Sequence, residues 1–208
     1  VLLDRDARLV FVFGAKPNPE RPGARDLFVK YARKNIPWAY FFLAEDYFEV
    51  YSGDASYDLL SIEKDLADYS DCLLLFIESD STIAELGAFA LDERLCRNMV
   101  VVNEAMYRGS GSFIAKGPLA KIERKSSFGA PIYVGMEHVL TKASEVEGRL
   151  ARLRGYRARH VNVKSQTALN DEQPKNRMLF LYQIVMLLAP LRFAELIGFL
   201  ESVYGIKG

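Results

Sequence analysis

The chain has 208 residues, half of them hydrophobic and 26% charged, which suits one full globular domain plus part of a second and excludes a disordered chain. Twenty-seven Lys and Arg balance 27 Asp and Glu, which excludes a bulk polycation; any contact with nucleic acid or anionic lipid must come from a local patch. Cys72 and Cys96 are the only cysteines, at no metal-ligand spacing and too few for a disulfide scaffold, so a reducing cytoplasm is expected.

In chain order, the first expected strand is 9–13, ending in a loop at Gly14 before a helix over 24–34 with Leu27, Phe28 and Tyr31 on one face. A second strand, 38–43, runs into the acidic stretch beginning Glu45-Asp46 and then a helix over 58–69, with Asp71 in the following turn. The aromatic residues Tyr40, Phe41, Phe42, Tyr47, Phe48 and Tyr51 cluster here, alternate members being core and one or two free to stack on a base. The third strand is 72–77, followed by a polar loop over 78–81 and a helix over 82–95. Residues 99–102 form a fourth strand, 107–117 a long loop rich in Gly and Ser, 131–134 a short fifth strand, and 137–153 a helix.

Strands written as continuous apolar runs and alternating with helical segments predict a doubly wound α/β domain on a mostly parallel five-stranded sheet. The expected organisation is this domain over 1–153, a basic linker over 154–175, and a helical segment over 176–208 that opens a further small domain continuing past Gly208. No apolar run approaches the roughly 20 residues that span a bilayer, so no membrane segment is expected. The chain begins at Val1 without a Met, which leaves a trimmed start and a removed leader both open.

Ligands of such sheets sit beyond the carboxyl ends of the strands, which selects the loops at 14–18, 44–48 and 78–82. Glu85 is expected in the first turn of the helix after strand three, facing the mouth of the sheet if Ile83, Leu86 and Ala90 face the core. There the helix dipole favours an ionised carboxylate, suited to a nucleophile or an oxocarbenium stabiliser. Thr82-x-x-Glu85 also reads as a capping box, so cap and catalyst both stay open. Gly87 reads either as close helix packing or as room for a ligand.

Candidate substrate-binding residues are Gly14, Lys16, Glu45, Asp46, Glu78, Ser79, Asp80 and Thr82: the acids for ribose hydroxyls or a base, Lys16 for a phosphate. The first loop lacks a GxGxxG fingerprint, which disfavours a conventional dinucleotide cradle. His138 and His160 have no partner at triad or zinc spacing, so no metal is expected. Between residues 149 and 170 lie Arg149, Arg152, Arg154, Arg157, Arg159 and Lys164 with no acid, a local charge of +6 that suits a phosphate backbone as well as a solvated helix end.

The segment from Phe76 through Glu78-Ser79 to Glu85-Leu86-Gly87-Ala88-Phe89 resembles the nucleoside 2-deoxyribosyltransferase superfamily, whose glutamate in an ELG motif attacks an anomeric carbon. Phe11-Val12-Phe13-Gly14, Glu45-Asp46, Ser61-Ile62-Glu63, Ser112-Phe113-Ile114 and Gly117-Pro118 extend the pattern, and the whole ordered set is similar to the retron-associated effectors, toxins with a deoxyribosyltransferase-like domain. The resemblance covers 9–120 well and the remainder more loosely. It implies an anti-phage toxin that cleaves the N-glycosidic bond of NAD, as substrate and not cofactor, through Glu85. It also implies restraint by a retron reverse transcriptase and multicopy single-stranded DNA in an oligomeric cytoplasmic complex, and a winged helix-turn-helix at the C-terminus.

Salvage transferases place Asp-Gly in the loop before the glutamate, where this chain has Ser79-Asp80, a departure that disfavours nucleoside transfer. The rival readings are a salvage 2-deoxyribosyltransferase and a non-enzymatic nucleic-acid-binding regulator.

Overall fold

The computed structural model describes residues 8–16, 18, 20–43, 59–155 and 174–204. The chain divides into two compact units, 1–157 and 158–208.

In the first unit β1 (Arg8–Phe13) leads to α1 (Ala24–Asn35), and β2 (Ala39–Leu43) precedes α2 (Leu59–Tyr69). Then come β3 (Cys72–Ile77), α3 (Asp80–Leu91) and the short α4 (Glu93–Arg97). β4 (Met99–Glu104) is followed by α5 (Ala120–Lys125), and β5 (Ile132–Val134) by α6 (Ala143–Leu150). All strands are parallel, in the order β2-β1-β3-β4-β5. The expected α/β fold is therefore the observed one.

The sheet is sandwiched because its central strands alternate large apolar side chains on both faces. Val10, Val12, Leu74 and Phe76 meet α1 and α6, with the Phe28 ring 5.5 Å from Phe76. Phe11, Phe13, Leu73, Leu75 and Ile77 meet α2, α3, α4 and α5. All six residues of β3 are buried, as befits the middle strand of a parallel sheet. Asp71 joins β1 to β3 at their start: its carboxylate accepts from Leu9 N at 2.8 Å, and its own N–H donates to Leu9 O. Among the aromatic residues, Phe41 is core, Phe42 stacks on Phe11 at 4.9 Å, and Tyr40 is exposed. Tyr47, Phe48 and Tyr51 lie outside the described residues.

Three expectations need correction. The helix expected over 82–95 is two helices, because Asp92 turns extended and its carboxylate accepts from Arg94 N and Leu95 N, starting α4. The long loop expected over 107–117 is shorter: residues 105–107 form a 3-10 turn, and Ala115–Leu119 wind as a π-turn that carries Pro118 directly into α5. Ser112 Oγ accepts from Ala115 N at the start of that turn. The helix expected over 137–153 is α6 flanked by 3-10 turns at Met136–Lys142 and Ala151–Gly155.

The second unit contains α7 (Pro174–Leu188) and α8 (Phe193–Tyr204), which run on from one another with a bend of 111°. Among the described residues no single helix is long and apolar enough to cross a membrane; only this bent pair has the combined length and composition.

Candidate functional site

The crossovers from β1 and β3 run to opposite sides of the sheet, which opens a crevice between the carboxyl ends of these two strands. Gly14 and Ala15 follow the end of β1 there, and Glu78 and Ser79 the end of β3. Their backbones pair up to the edge, Phe13 lying opposite Leu75.

Glu78 does not point into solvent. Its Oε2 accepts from Ala24 N at 2.7 Å, and its Oε1 accepts from Arg25 N and Ala15 N, each at 3.2 Å. These amides belong to the β1–α1 loop and the first turn of α1, where the helix dipole favours an anion. Gly14 and Gly23 permit the approach: a Cβ at either position would stand 2.8 Å from a Glu78 oxygen. Arg25, 2% exposed, fills the space beside them. Nothing in the sequence spacing marks Arg25, or Gly23 as a glycine that must yield to a carboxylate 55 residues away. Lys16 is exposed at the rim.

Ser79 is extended (φ −147°, ψ 161°) and is the N-cap of α3; its Oγ accepts from Thr82 N at 3.3 Å and lies 2.8 Å from Thr82 Oγ1. The capping box expected at Thr82 and Glu85 is thus not formed. Four consecutive cap-competent residues, Ser79 to Thr82, leave the sequence ambiguous, and the direction in which Glu78 leaves β3 selects Ser79. Glu85 falls in the second turn of the helix, not the first. Thr82 is fully buried, so both it and Ser79 serve the helix start. Asp80 is exposed in the first turn.

The buried stripe of α3 is Thr82, Leu86, Phe89 and Ala90; Ile83, expected in the core, is exposed. Glu85 lies on the border of this stripe, half-buried, one turn after Thr82 and one turn before Phe89. The Phe89 ring meets Phe13 edge-on at 5.1 Å, which ties this stretch of α3 to the last residue of β1. Gly87 is not packed by the described residues: none of their atoms lies within 4 Å of the position its Cβ would take. A half-buried carboxylate one turn from the ring that packs on the end of β1 can stabilise a cation developing on a bound substrate.

The cysteines do not compete as nucleophiles. Burial, then the neighbouring Asp71 charge, push the Cys72 thiol far above its ordinary range; burial raises Cys96 as well. Glu45 and Asp46 lie outside the described residues, as do Arg157, Arg159, His160 and Lys164.

Two members of the basic run are engaged within the fold. The Arg149 guanidinium donates to Ala130 O and to Glu145 Oε1, and that of Arg152 donates to Ser127 O. Both thereby fasten the turn between α5 and β5, Arg152 remaining exposed. The hydrogen bond from Lys142, and after it the one from Arg149, hold the Glu145 carboxyl below its ordinary range against an opposing cost of burial. That contribution to stability is present above the unfolded carboxylate range and is lost as pH falls through the depressed folded value. Arg149→Ala is expected to destabilise the first unit by about 1–2 kcal/mol at neutral pH, read as a lower urea midpoint with an unchanged slope. A wild-type midpoint would return Arg149 to the candidate nucleic-acid patch.

The profile of the STM3845 retron effector protein family matches residues 22–208. The chain is 28% identical over 214 aligned residues to the retron Ec73 putative ribosyltransferase/DNA-binding protein of Escherichia coli, covering 96% of this chain and 68% of that relative. It is 36% identical over 87 residues to the retron Ec86 protein of the same description, also from Escherichia coli, covering 41% of this chain and 28% of that protein.

Proposed function

Because this chain belongs to the STM3845 retron effector protein family, we propose that its α/β unit is the toxic enzyme of an anti-phage retron, breaking the N-glycosidic bond of NAD or a related nucleotide with Glu85. The single observation that carries the reading is the place of Glu85: on the border of the α3 core stripe, tied through Phe89 and Phe13 to the carboxyl end of β1, and released from any capping duty by Ser79. The word ribosyltransferase in the names of two relatives supports the same class of chemistry.

In this reaction the bond between ribose C1′ and the base nitrogen breaks, and its electron pair leaves with the base. The positive charge that develops on C1′ and the ring oxygen is met by the Glu85 carboxylate, as an electrostatic partner or as a covalent nucleophile. Water then adds to C1′ and releases a proton, giving free base and the ribosyl product. Asp80, Lys16, Glu45 and Asp46 are the remaining candidates for holding the sugar and its substituents, while Gly14, Glu78, Ser79 and Thr82 build the frame.

Purified protein incubated with NAD and, separately, with deoxynucleosides is expected to release nicotinamide only from NAD, with products separated by chromatography. Release of base from deoxynucleosides only in the presence of a second base would instead establish transfer, the salvage reaction. Gly87→Ala provides a further check. With no described neighbour in the way of its Cβ and alanine the better helix former, the substitution is expected to raise stability by up to about 1 kcal/mol while lowering kcat/KM if substrate enters that space. Higher melting temperature with unchanged kcat/KM would remove Gly87 from the site.

A nucleic-acid contact in the second unit completes the proposal. α7 and α8 are joined by the four residues 189–192 and bend by 111°, the proportions of a helix-turn-helix pair. The basic residues Arg154, Arg157, Arg159 and Lys164 precede it. We assign these elements to the multicopy single-stranded DNA of the retron, with the reverse transcriptase as the restraining partner.

A further inference from the structure

We propose that Glu78 is a positioning residue whose carboxylate stands where open α/β sheets commonly seat a substrate phosphate, so that the sheet mouth receives the nucleoside end of its substrate with the phosphates turned away. The start of the helix that follows β1 at the switch point is the usual anion seat of this architecture, because free amides and the helix dipole converge there. Here the seat is filled from within. The two Glu78 oxygens take the amides of Ala15, Ala24 and Arg25 at 3.2, 2.7 and 3.2 Å.

The loop is shaped around that carboxylate at both ends. A Cβ on Gly14 would lie 2.8 Å from Glu78 Oε1, and one on Gly23 2.8 Å from Oε2. Both glycines therefore leave the volume that Glu78 occupies, an arrangement independent of the hydrogen bonds themselves. A phosphate reaching the same amides would have to displace the carboxylate and, until it did, would meet its negative charge at contact distance. Phosphates of a nucleotide substrate must consequently lie away from the start of α1, leaving the ribose toward Glu85. The orientation of substrate rests on the ribosyl chemistry proposed above; the occupancy of the amides by Glu78 does not.

The test uses the full chain without substrate. In wild-type protein the Ala24 and Arg25 amides are expected to exchange slowly with deuterium and to keep their resonance positions when inorganic phosphate is added. In Glu78→Ala these amides should exchange at least about tenfold faster, the factor expected for losing a hydrogen bond to a charged group. Inorganic phosphate or acetate should then shift their resonances and raise the melting temperature of the variant but not of the wild type. Wild-type amides that respond to inorganic phosphate, or a Glu78→Ala variant insensitive to both anions, would overturn the proposal.

Should Glu78→Ala fail to fold, Glu78→Gln keeps the shape and one accepting oxygen while turning an NH2 toward amide donors. Faster exchange at Ala24 and Arg25 in that variant supports the assignment, and unchanged exchange refutes it. A failure of the ribosyl reading appears separately, as absence of base release from NAD with the amide measurements unaltered.

Discussion

Glu85→Gln is expected to lower the rate of N-glycosidic cleavage by roughly 10³-fold or more while shifting the melting temperature by only a few degrees. Removing one preorganised electrostatic partner of a developing charge typically costs about 10²–10³ in kcat, and losing a nucleophile costs more. The amide retains the shape and much of the hydrogen bonding, and Glu85 lies on the border of the α3 stripe rather than within it, so the core keeps its contacts. Binding of NAD to the variant should persist, because the charge is needed most when C1′ becomes cationic. The measurement is single-turnover release of nicotinamide alongside thermal unfolding. A variant with the wild-type rate would strip Glu85 of the role and leave the exposed Asp80 as the nearest carboxylate on the same helix.

Gly14→Ala should damage the fold more than a methyl addition at Gly23, Gly87 or Gly135. Its Cβ would stand 2.6 Å from Arg25 Cβ, 2.8 Å from Glu78 Oε1 and 2.9 Å from Arg25 Cδ. The Arg25 Cβ is fixed to the first turn of α1, and the Glu78 carboxylate is held by three amides, so neither neighbour yields cheaply. Overpacking of this kind costs about 1–3 kcal/mol, which for a chain of this size lowers the melting temperature by roughly 2–12 °C. Gly87→Ala, which meets no atom of the described residues, is the matched control. Equal melting temperatures for the two variants would show that the β1–α1 loop relaxes freely and that its glycine is not required by Glu78.

Much of the fold was legible because parallel strands buried on both faces must be written as unbroken apolar runs. The apolar run bounds Cys72–Ile77 to the residue, and the runs of β1, β2, β4 and β5 bound those strands to within two. The alternation of strands and helices selects three loops at the carboxyl ends of strands as candidates, and the strand order then puts the switch point between β1 and β3. Glu85 could be singled out from its helix and its motif.

Tertiary structure alone decided what each polar residue does. Ser79, Asp80, Ser81 and Thr82 are equally able to cap a helix, and only the path of the chain out of β3 makes Ser79 the cap and places Glu85 a turn further on. Glu78 looks in sequence like a loop carboxylate open to ligand. It becomes the anion of the α1 start because the right-handed crossover from β1 brings Ala24 and Arg25 beside the end of β3. Arg149 and Arg152 carry the same charge as the rest of the basic run, yet the turn between α5 and β5 offers them carbonyl oxygens within reach. Periodicity reports which side of an element is dry, and it does so from neighbours in the chain. The amides that hold Glu78 and the carbonyl oxygens that hold Arg149 and Arg152 lie 19 to 63 residues away, and only the packed fold brings them together.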